Sequence, residues 1–136
     1  MQLSSQKISK QISYWRLSAS RNWDTALYLF KGRRYSDSLF FAHLTIEKLL
    51  KGLVVLKTKE LPPRIHDLAR LAALADLALN QKQTRDFREI TDFNIAGRYE
   101  DEKYAFYKRC TESYANKWLK ICRSYNLWLK RQYQKK

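Results

Sequence analysis

Hydrophobic side chains recur every three or four positions along most of the chain, which is the spacing of one face of an α-helix. The first such stretch covers residues 8–30, and Gly32 followed by two arginines marks its end. A second stretch covers residues 35–59, and its apolar positions extend well beyond one face. A helix that is apolar on more than one side lies at the centre of a fold or meets a second chain.

Two consecutive prolines at positions 62–63 end the second helix and force an extended connection. Apolar residues at helical spacing then predict a third helix over residues 67–79 and a shorter fourth helix over residues 84–93. Residues 94–103 contain a glycine and three consecutive acidic residues, and this composition predicts a loop.

The last helix is predicted to begin after Thr111, a residue type that caps helices, and its apolar stripe continues to Leu129. Its other face carries five cations, which are Lys117, Lys120, Arg123, Lys130 and Arg131. No stretch alternates between apolar and polar residues as a strand does. The sequence therefore predicts a single all-α domain over residues 1–136, an up-and-down antiparallel helical bundle of four to five helices.

The charge of the chain is strongly positive, with 27 basic residues against 13 acidic ones and a net charge of +14. The excess lies in the terminal segments: residues 1–34 carry 7 basic and 1 acidic residue, and residues 103–136 carry 10 and 1. Such a field attracts polyanions, which include nucleic acid, nucleotides and acidic partner proteins. The alternative is a lysine-rich surface that only keeps the protein in solution.

The small number of cysteines and the lack of a recognisable targeting signal argue against several classes of protein. Cys110 and Cys122 are the only cysteines, so neither a metal-ligand spacing nor a disulfide framework is present. The N-terminal residues show no secretory signal pattern, and no run reaches the roughly 18 apolar residues of a membrane span. With 3 glycines in the chain, a glycine-rich phosphate loop is also absent. We expect a cytoplasmic protein with no metal and no cofactor.

Three short motifs follow one another along the chain. Residues 41–52 read FAHLTIEKLLKG, residues 62–68 read PPRIHDL, and Arg98 and Tyr99 come later. Their order and spacing resemble the HEPN domain family (higher eukaryotes and prokaryotes nucleotide-binding domain). The resemblance implies a helical bundle that commonly forms a homodimer and, in many relatives, a minimal nucleotidyltransferase encoded beside it as a partner. Several relatives are ribonuclease toxins of toxin–antitoxin pairs, and others are regarded as nucleotide-binding modules.

The ribonucleases of that family carry an arginine followed by four to six residues and then a histidine. The histidine can move a proton and the arginine can hold a phosphate. The two histidines of this chain, His43 and His66, have no arginine at that distance before them. Arg88 lies where the motif is expected, but residues 93–95 are Phe, Asn and Ile. This departure counts against the usual cleavage mechanism, so we assign no catalytic residue.

The polar residues of the motifs are the candidates for contacting a nucleotide or RNA. His43, Glu47 and Lys51 are spaced so that they share one side of the second helix. They could form a polar cleft with Lys48, or Glu47 could form a buried ion pair that fixes helix packing. The full set of candidates is His43, Glu47, Lys48, Lys51, Arg64, His66, Arg98 and Tyr99.

Each of the remaining candidates could have either a structural role or a binding role. His66 and the following Asp67 could cap the third helix, or His66 and Arg64 could stand at the mouth of a cleft. Tyr99 could stack on a base while Arg98 holds a phosphate, or both could tie their loop to the bundle.

Three hypotheses for function follow. The first is a module that binds a nucleotide or RNA and pairs with a nucleotidyltransferase in a toxin–antitoxin setting. The second is a ribonuclease toxin with a non-standard active site, and the third is a purely structural or regulatory homodimer.

Overall fold

The computed structural model describes residues 2–135, and in this part of the chain all regular structure is helical. The helices are α1 (Ser5–Lys31), α2 (Tyr35–Thr58), α3 (Leu68–Leu74), α4 (Gln81–Thr91), α5 (Glu100–Arg109) and α6 (Glu112–Gln132). The predicted all-α bundle is confirmed. The described residues form six helices, slightly more than the predicted four to five, and this count is compatible with the predicted bundle.

Helix α2 lies at the centre of the bundle, and α1 packs along it in the opposite direction. Near one end, the Ser38 hydroxyl donates to the carbonyl of Ala26 at 2.7 Å, and further along Lys48 Nζ donates to Ser18 Oγ at 2.7 Å. Ala26 and Ala19, the buried residues of α1, are small enough to let the two helices approach closely. The wide apolar surface of α2 is thus covered from within the chain.

Helix α6 packs on α2 and runs in the same direction. Its first turn lies near Tyr35 at the start of α2, and Tyr133, just after its end, donates a hydrogen bond to the carbonyl of Leu49 at 2.5 Å. Gly52 makes room for this contact, since a Cβ at that position would lie 2.2 Å from Tyr133 Oη and 3.3 Å from Trp15 Cβ. A glycine therefore lets residues from both flanking helices meet over α2.

Two tyrosine hydroxyls tie α6 to α4. Tyr114 donates to Glu89, and Tyr125 donates to Asp86 at 2.5 Å. Burial, followed by the neighbouring carboxylate, raises the pKa of both phenols, so both remain protonated donors at neutral pH. Together with Tyr133, these contacts anchor α6 along its whole length.

Phe93 lies in an aromatic cluster beneath α4, α5 and α6. Its ring is fully buried, and its centroid lies 5.7 Å from those of Phe106 and Trp118. It is one of the three positions at which the resemblance implies a histidine in a ribonuclease. In this chain the position contributes to the core.

The structure corrects two of the predicted boundaries. Helix α3 ends at Leu74 and does not continue to residue 79, because Asp76 adopts a left-handed backbone with φ of 61°. The predicted loop over residues 94–103 is wrong from Glu100 onward, where α5 begins. Three acidic side chains in the first turn of α5 interact favourably with the positive end of the helix.

Both cysteines are buried and unpaired. Burial raises the pKa of the Cys110 thiol to about 12 and raises that of Cys122 as well, so neither forms a reactive thiolate at neutral pH. Among the described helices, none is both long enough and apolar enough to cross a membrane.

Candidate functional site

Glu47 is the centre of a buried polar cluster on α2. Its side chain is 4% exposed, yet both carboxylate oxygens are paired. Oε2 accepts a hydrogen bond from Lys51 Nζ at 2.8 Å, and Oε1 lies 3.0 Å from His66 Nδ1. Since an ionised carboxylate can only accept, Nδ1 of His66 carries the proton in this contact. We call His43, Glu47, Lys51 and His66 the Glu47 cluster.

His43 is the most deeply buried member of the cluster, with no exposed surface. Its Nε2 lies 3.2 Å from the carbonyl of His66, which can only accept, so Nε2 is the protonated nitrogen. Its Nδ1 is buried and has no hydrogen-bond partner among the described residues. Burial lowers the pKa of His43 to about 4, although Glu47, 3.6 Å away, opposes this shift. His43 is therefore neutral at pH 7.

The two candidate lysines of α2 are held by contacts within the protein. Besides its ion pair with Glu47, Lys51 lies 5.5 Å from the ring centroid of Trp15, within the range of a cation–π contact. Lys48 donates to Ser18, and partial burial lowers its pKa. Both residues thus connect α2 to α1, which agrees with the packing alternative inferred from the sequence.

His66 is the member of the cluster that reaches solvent. Its side chain is 61% exposed, and its Nε2 has no hydrogen bond within residues 2–135. Arg64, two positions earlier on the same connection, is exposed and forms no ion pair with any described residue. The following Asp67 caps α3 by accepting from the backbone of Arg70 at 3.2 Å. The connection therefore presents one oriented imidazole and one unpaired cation.

Arg98 and Tyr99 lie in the segment before α5. Arg98 Nη2 is 3.8 Å from Asp92 Oδ1, and the Tyr99 side chain is exposed. The backbone N–H of Tyr99 donates to Glu102 at 3.3 Å. No hydrogen bond or ion pair within the described chain joins either residue to the Glu47 cluster. The eight candidates are thus divided between the α2 region and a separate loop.

Asn126 is a buried polar residue of α6 that is not among the eight candidates. It is 4% exposed, and its side-chain carbonyl oxygen is unpaired within the described part of the protein. It lines a groove between α1 and α6. The signal in the sequence was one amide within an otherwise apolar helical stripe.

The Glu47 cluster is suited to hydrogen bonding and proton transfer, because a buried carboxylate fixes both the tautomer and the orientation of an exposed imidazole. Among residues 2–135, no three histidine, cysteine or acidic side chains are grouped as a metal ion would require.

Comparison with known proteins identifies the family but no individual relative. No similar protein was found among curated sequences or among solved structures. The family model of the HEPN domain matches residues 12–132, which covers α2 to α6 in full and α1 from residue 12 onward. The motifs, the helical bundle and this match agree, and the chain belongs to the HEPN domain family.

Proposed function

We propose that this protein is a HEPN binding module that binds a nucleotide or RNA without cleaving it by the usual arginine–histidine mechanism. The supporting observation is the exposed His66 imidazole, which the buried Glu47 holds by its Nδ1. We further propose that the module pairs with a minimal nucleotidyltransferase in a toxin–antitoxin setting, as the family resemblance implies.

The chemistry of the connection suits a ribose phosphate. With Nδ1 of His66 directed at Glu47, its Nε2 can form a hydrogen bond with a ribose hydroxyl. The guanidinium of Arg64 can hold a phosphate by two parallel hydrogen bonds. The net charge of +14 raises the local concentration of such an anion.

The histidine that the usual cleavage mechanism requires is absent from residues 93–95. Phe93 lies in the aromatic core, and Asn94 and Ile95 next to it cannot exchange protons at neutral pH. His43 is neutral and enclosed, so it cannot reach a bound RNA.

The binding proposal is tested by titrating ATP and short single-stranded RNAs into the protein at two salt concentrations. Arg64→Ala and His66→Ala are each expected to weaken binding about tenfold, the effect of losing one charge-assisted or well-placed hydrogen bond. Arg70→Ala is the matched control, since Arg70 is also exposed and close in sequence. Equal loss in all three variants would reduce the interaction to general electrostatic attraction, and no binding to any ligand would refute the proposal.

Pairing is tested by co-expressing the chain with a nucleotidyltransferase encoded beside it and measuring the mass of the complex. A stable complex in which the nucleotidyltransferase modifies this chain or changes its ligand binding would support the pairing. The absence of such a neighbour, or of any complex with it, would contradict it.

A second candidate function is cleavage of RNA at a non-standard site, which the Glu47–His66 contact favours. In that reaction Nε2 of His66 would take the proton of a ribose 2′-hydroxyl, whose oxygen would form a bond to phosphorus. The bond from phosphorus to the 5′-oxygen would break, and that oxygen would leave with a proton from water. Cleavage of labelled RNA that disappears in His66→Ala, together with growth arrest relieved by the same change, would establish it. Intact RNA bound by the wild-type protein would support the binding module.

A further inference from the structure

A groove runs between α1 and α6, which both pack on α2. It encloses an open volume of about 520 Å³, and all the residues that line it belong to these two helices. The lining residues of α6 span positions 116–130. At a rise of about 1.5 Å per residue this wall is about 21 Å long.

The floor and walls of the groove are largely apolar. Trp23 and Phe30 contribute from α1 and pack against the core with their inner sides. Leu27 of α1 and Leu127 of α6 line the two walls and remain 41% and 50% exposed. Two half-exposed leucines in one concave surface form the kind of patch that a binding partner covers.

The rim of the groove on the α6 side is positively charged. Lys120, Arg123 and Lys130 are exposed and line the groove, and none of them forms an ion pair with a described residue. The acidic residue of α6, Glu112, lies in the first turn, away from these three cations. The positive charge along this edge is therefore not neutralised within the chain.

Asn126 gives the groove an unused hydrogen-bonding group. Its side chain is more than nine-tenths buried and lines the groove, and its carbonyl oxygen has no partner among residues 2–135. A buried acceptor without a donor is unfavourable, because it has lost its hydrogen bonds to water. An occupant of the groove that supplies an N–H group would satisfy it.

We propose that this groove docks an amphipathic helix of a partner protein, with leucine-like residues on its inner face and glutamate or aspartate along one edge. A helix of about 14 residues matches the 21 Å wall at the same rise per residue. Its apolar stripe would cover Leu27 and Leu127, and its acidic edge would meet Arg123 and the two lysines. This is the helix-in-groove mode of recognition, with charge complementarity selecting the partner.

Two other occupants fit less well. A second copy of this chain carries the same net charge of +14, and this long-range repulsion opposes its approach to the cationic rim. Single-stranded RNA binds through aromatic rings that stack on its bases, whereas Trp23 and Phe30 use ring surface to pack against the core.

The groove involves a different part of the chain from the Glu47 cluster. Glu47 contacts His66 on the connection before α3, whereas every residue of the groove lies on α1 or α6. Peptide binding in the groove can therefore be tested independently of ligand binding at His66.

The experiment uses the full chain and a fluorescein-labelled synthetic helix of about 14 residues, the length set by the groove. Its leucines follow a spacing of three and four residues, and its remaining positions are mainly glutamate. A control peptide has the same composition, with the leucines distributed around the helix. Fluorescence anisotropy measures binding of both peptides to the wild-type protein and to Leu127→Ser, Arg123→Glu and Lys10→Glu. The last variant is matched to Arg123→Glu, because Lys10 is exposed on α1 outside the groove.

We expect the amphipathic peptide to bind and the redistributed peptide not to bind. Leu127→Ser and Arg123→Glu are each expected to weaken binding about tenfold or more, and Lys10→Glu much less. Both substituted side chains are exposed, so unchanged melting temperatures will show that the fold persists. Equal binding of the two peptides, or no binding of either, would overturn the proposal. The proposal would also fail if the wild-type chain is a dimer that Leu127→Ser dissociates, because a second copy would then occupy the groove. It would fail likewise if the peptide does not bind and Arg123→Glu abolishes binding of single-stranded RNA.

Discussion

The buried His43 makes a specific contribution to the pH dependence of stability. We consider lowering the pH from 7 to 4.5 for the wild-type protein and for His43→Gln. Glutamine cannot gain a proton in this range, and its amide N–H can still donate to the carbonyl of His66. The comparison therefore removes the titration of residue 43 while keeping its hydrogen bond.

The sign and size of the effect follow from the pKa of His43. Burial lowers that pKa from 6.5 to about 4 in the folded protein, whereas the unfolded chain keeps the ordinary value. Between these values the unfolded state binds the proton that the folded state excludes, so the free energy of unfolding decreases as the pH falls. The contribution is complete above pH 6.5 and is lost as the pH falls toward 4. At about 1.4 kcal/mol per pKa unit it amounts to about 3 kcal/mol.

Urea unfolding followed by circular dichroism at several pH values measures this contribution. Residue 43 lies beside Glu47, which also contacts His66, so the quantity to compare is the pH-dependent change in each protein and not the stability at one pH. Between pH 7 and 4.5, the wild-type protein should lose about 2–3 kcal/mol more than His43→Gln. Equal losses in the two proteins would refute the reasoning, because they would mean that His43 is protonated as easily in the folded state as in the unfolded chain.

Three further substitutions test the contacts around α2 and α6. Lys51→Met leaves the buried carboxylate of Glu47 without its cation and should lower the free energy of unfolding by about 3 kcal/mol. Adding Glu47→Leu to Lys51→Met removes the buried carboxylate as well and should restore most of that free energy. An unchanged urea midpoint in the single variant would contradict the buried ion pair. In urea unfolding, Gly52→Ala should lower the free energy of unfolding by about 1–2 kcal/mol, because the cost of displacing the Tyr133 hydroxyl outweighs the better helix propensity of alanine. A gain in stability would show that Tyr133 moves aside freely. Asn126→Leu should raise the melting temperature, since it removes an unpaired buried carbonyl worth about 1 kcal/mol. A lower melting temperature would show that the amide is satisfied in solution.

The long helices could be predicted because their burial follows a simple period. The stripes of α1, α2 and α6 contain enough apolar residues to specify a helix from the sequence alone. Helix α5 was missed because its one buried residue is Phe106, so it has no apolar stripe. Its acidic first turn is compatible with a loop, but acidic residues also favour helix starts.

The candidate site could be predicted only in part, because its geometry depends on long-range contacts. The spacing of Glu47 and Lys51 on one helix was enough to suggest their ion pair, which the structure contains. The contact between Glu47 and His66 joins residues 19 positions apart through a connection whose path no local rule specifies. The groove could not be predicted for the same reason, since Leu27 and Leu127 come to line one groove only after α1 and α6 have packed on α2.

The three tyrosine hydroxyls that hold α6 in place affect the rate at which a partner could associate with the groove. Hydroxyls at positions 114, 125 and 133 fix the helix to α4 and α2 over its whole length. One wall of the groove is therefore already ordered before anything binds, and little conformational entropy remains to be lost there. An acidic helix that reaches this wall needs no rearrangement of α6, so the rate of association would depend mainly on diffusion in the positive field and would decrease as salt is added.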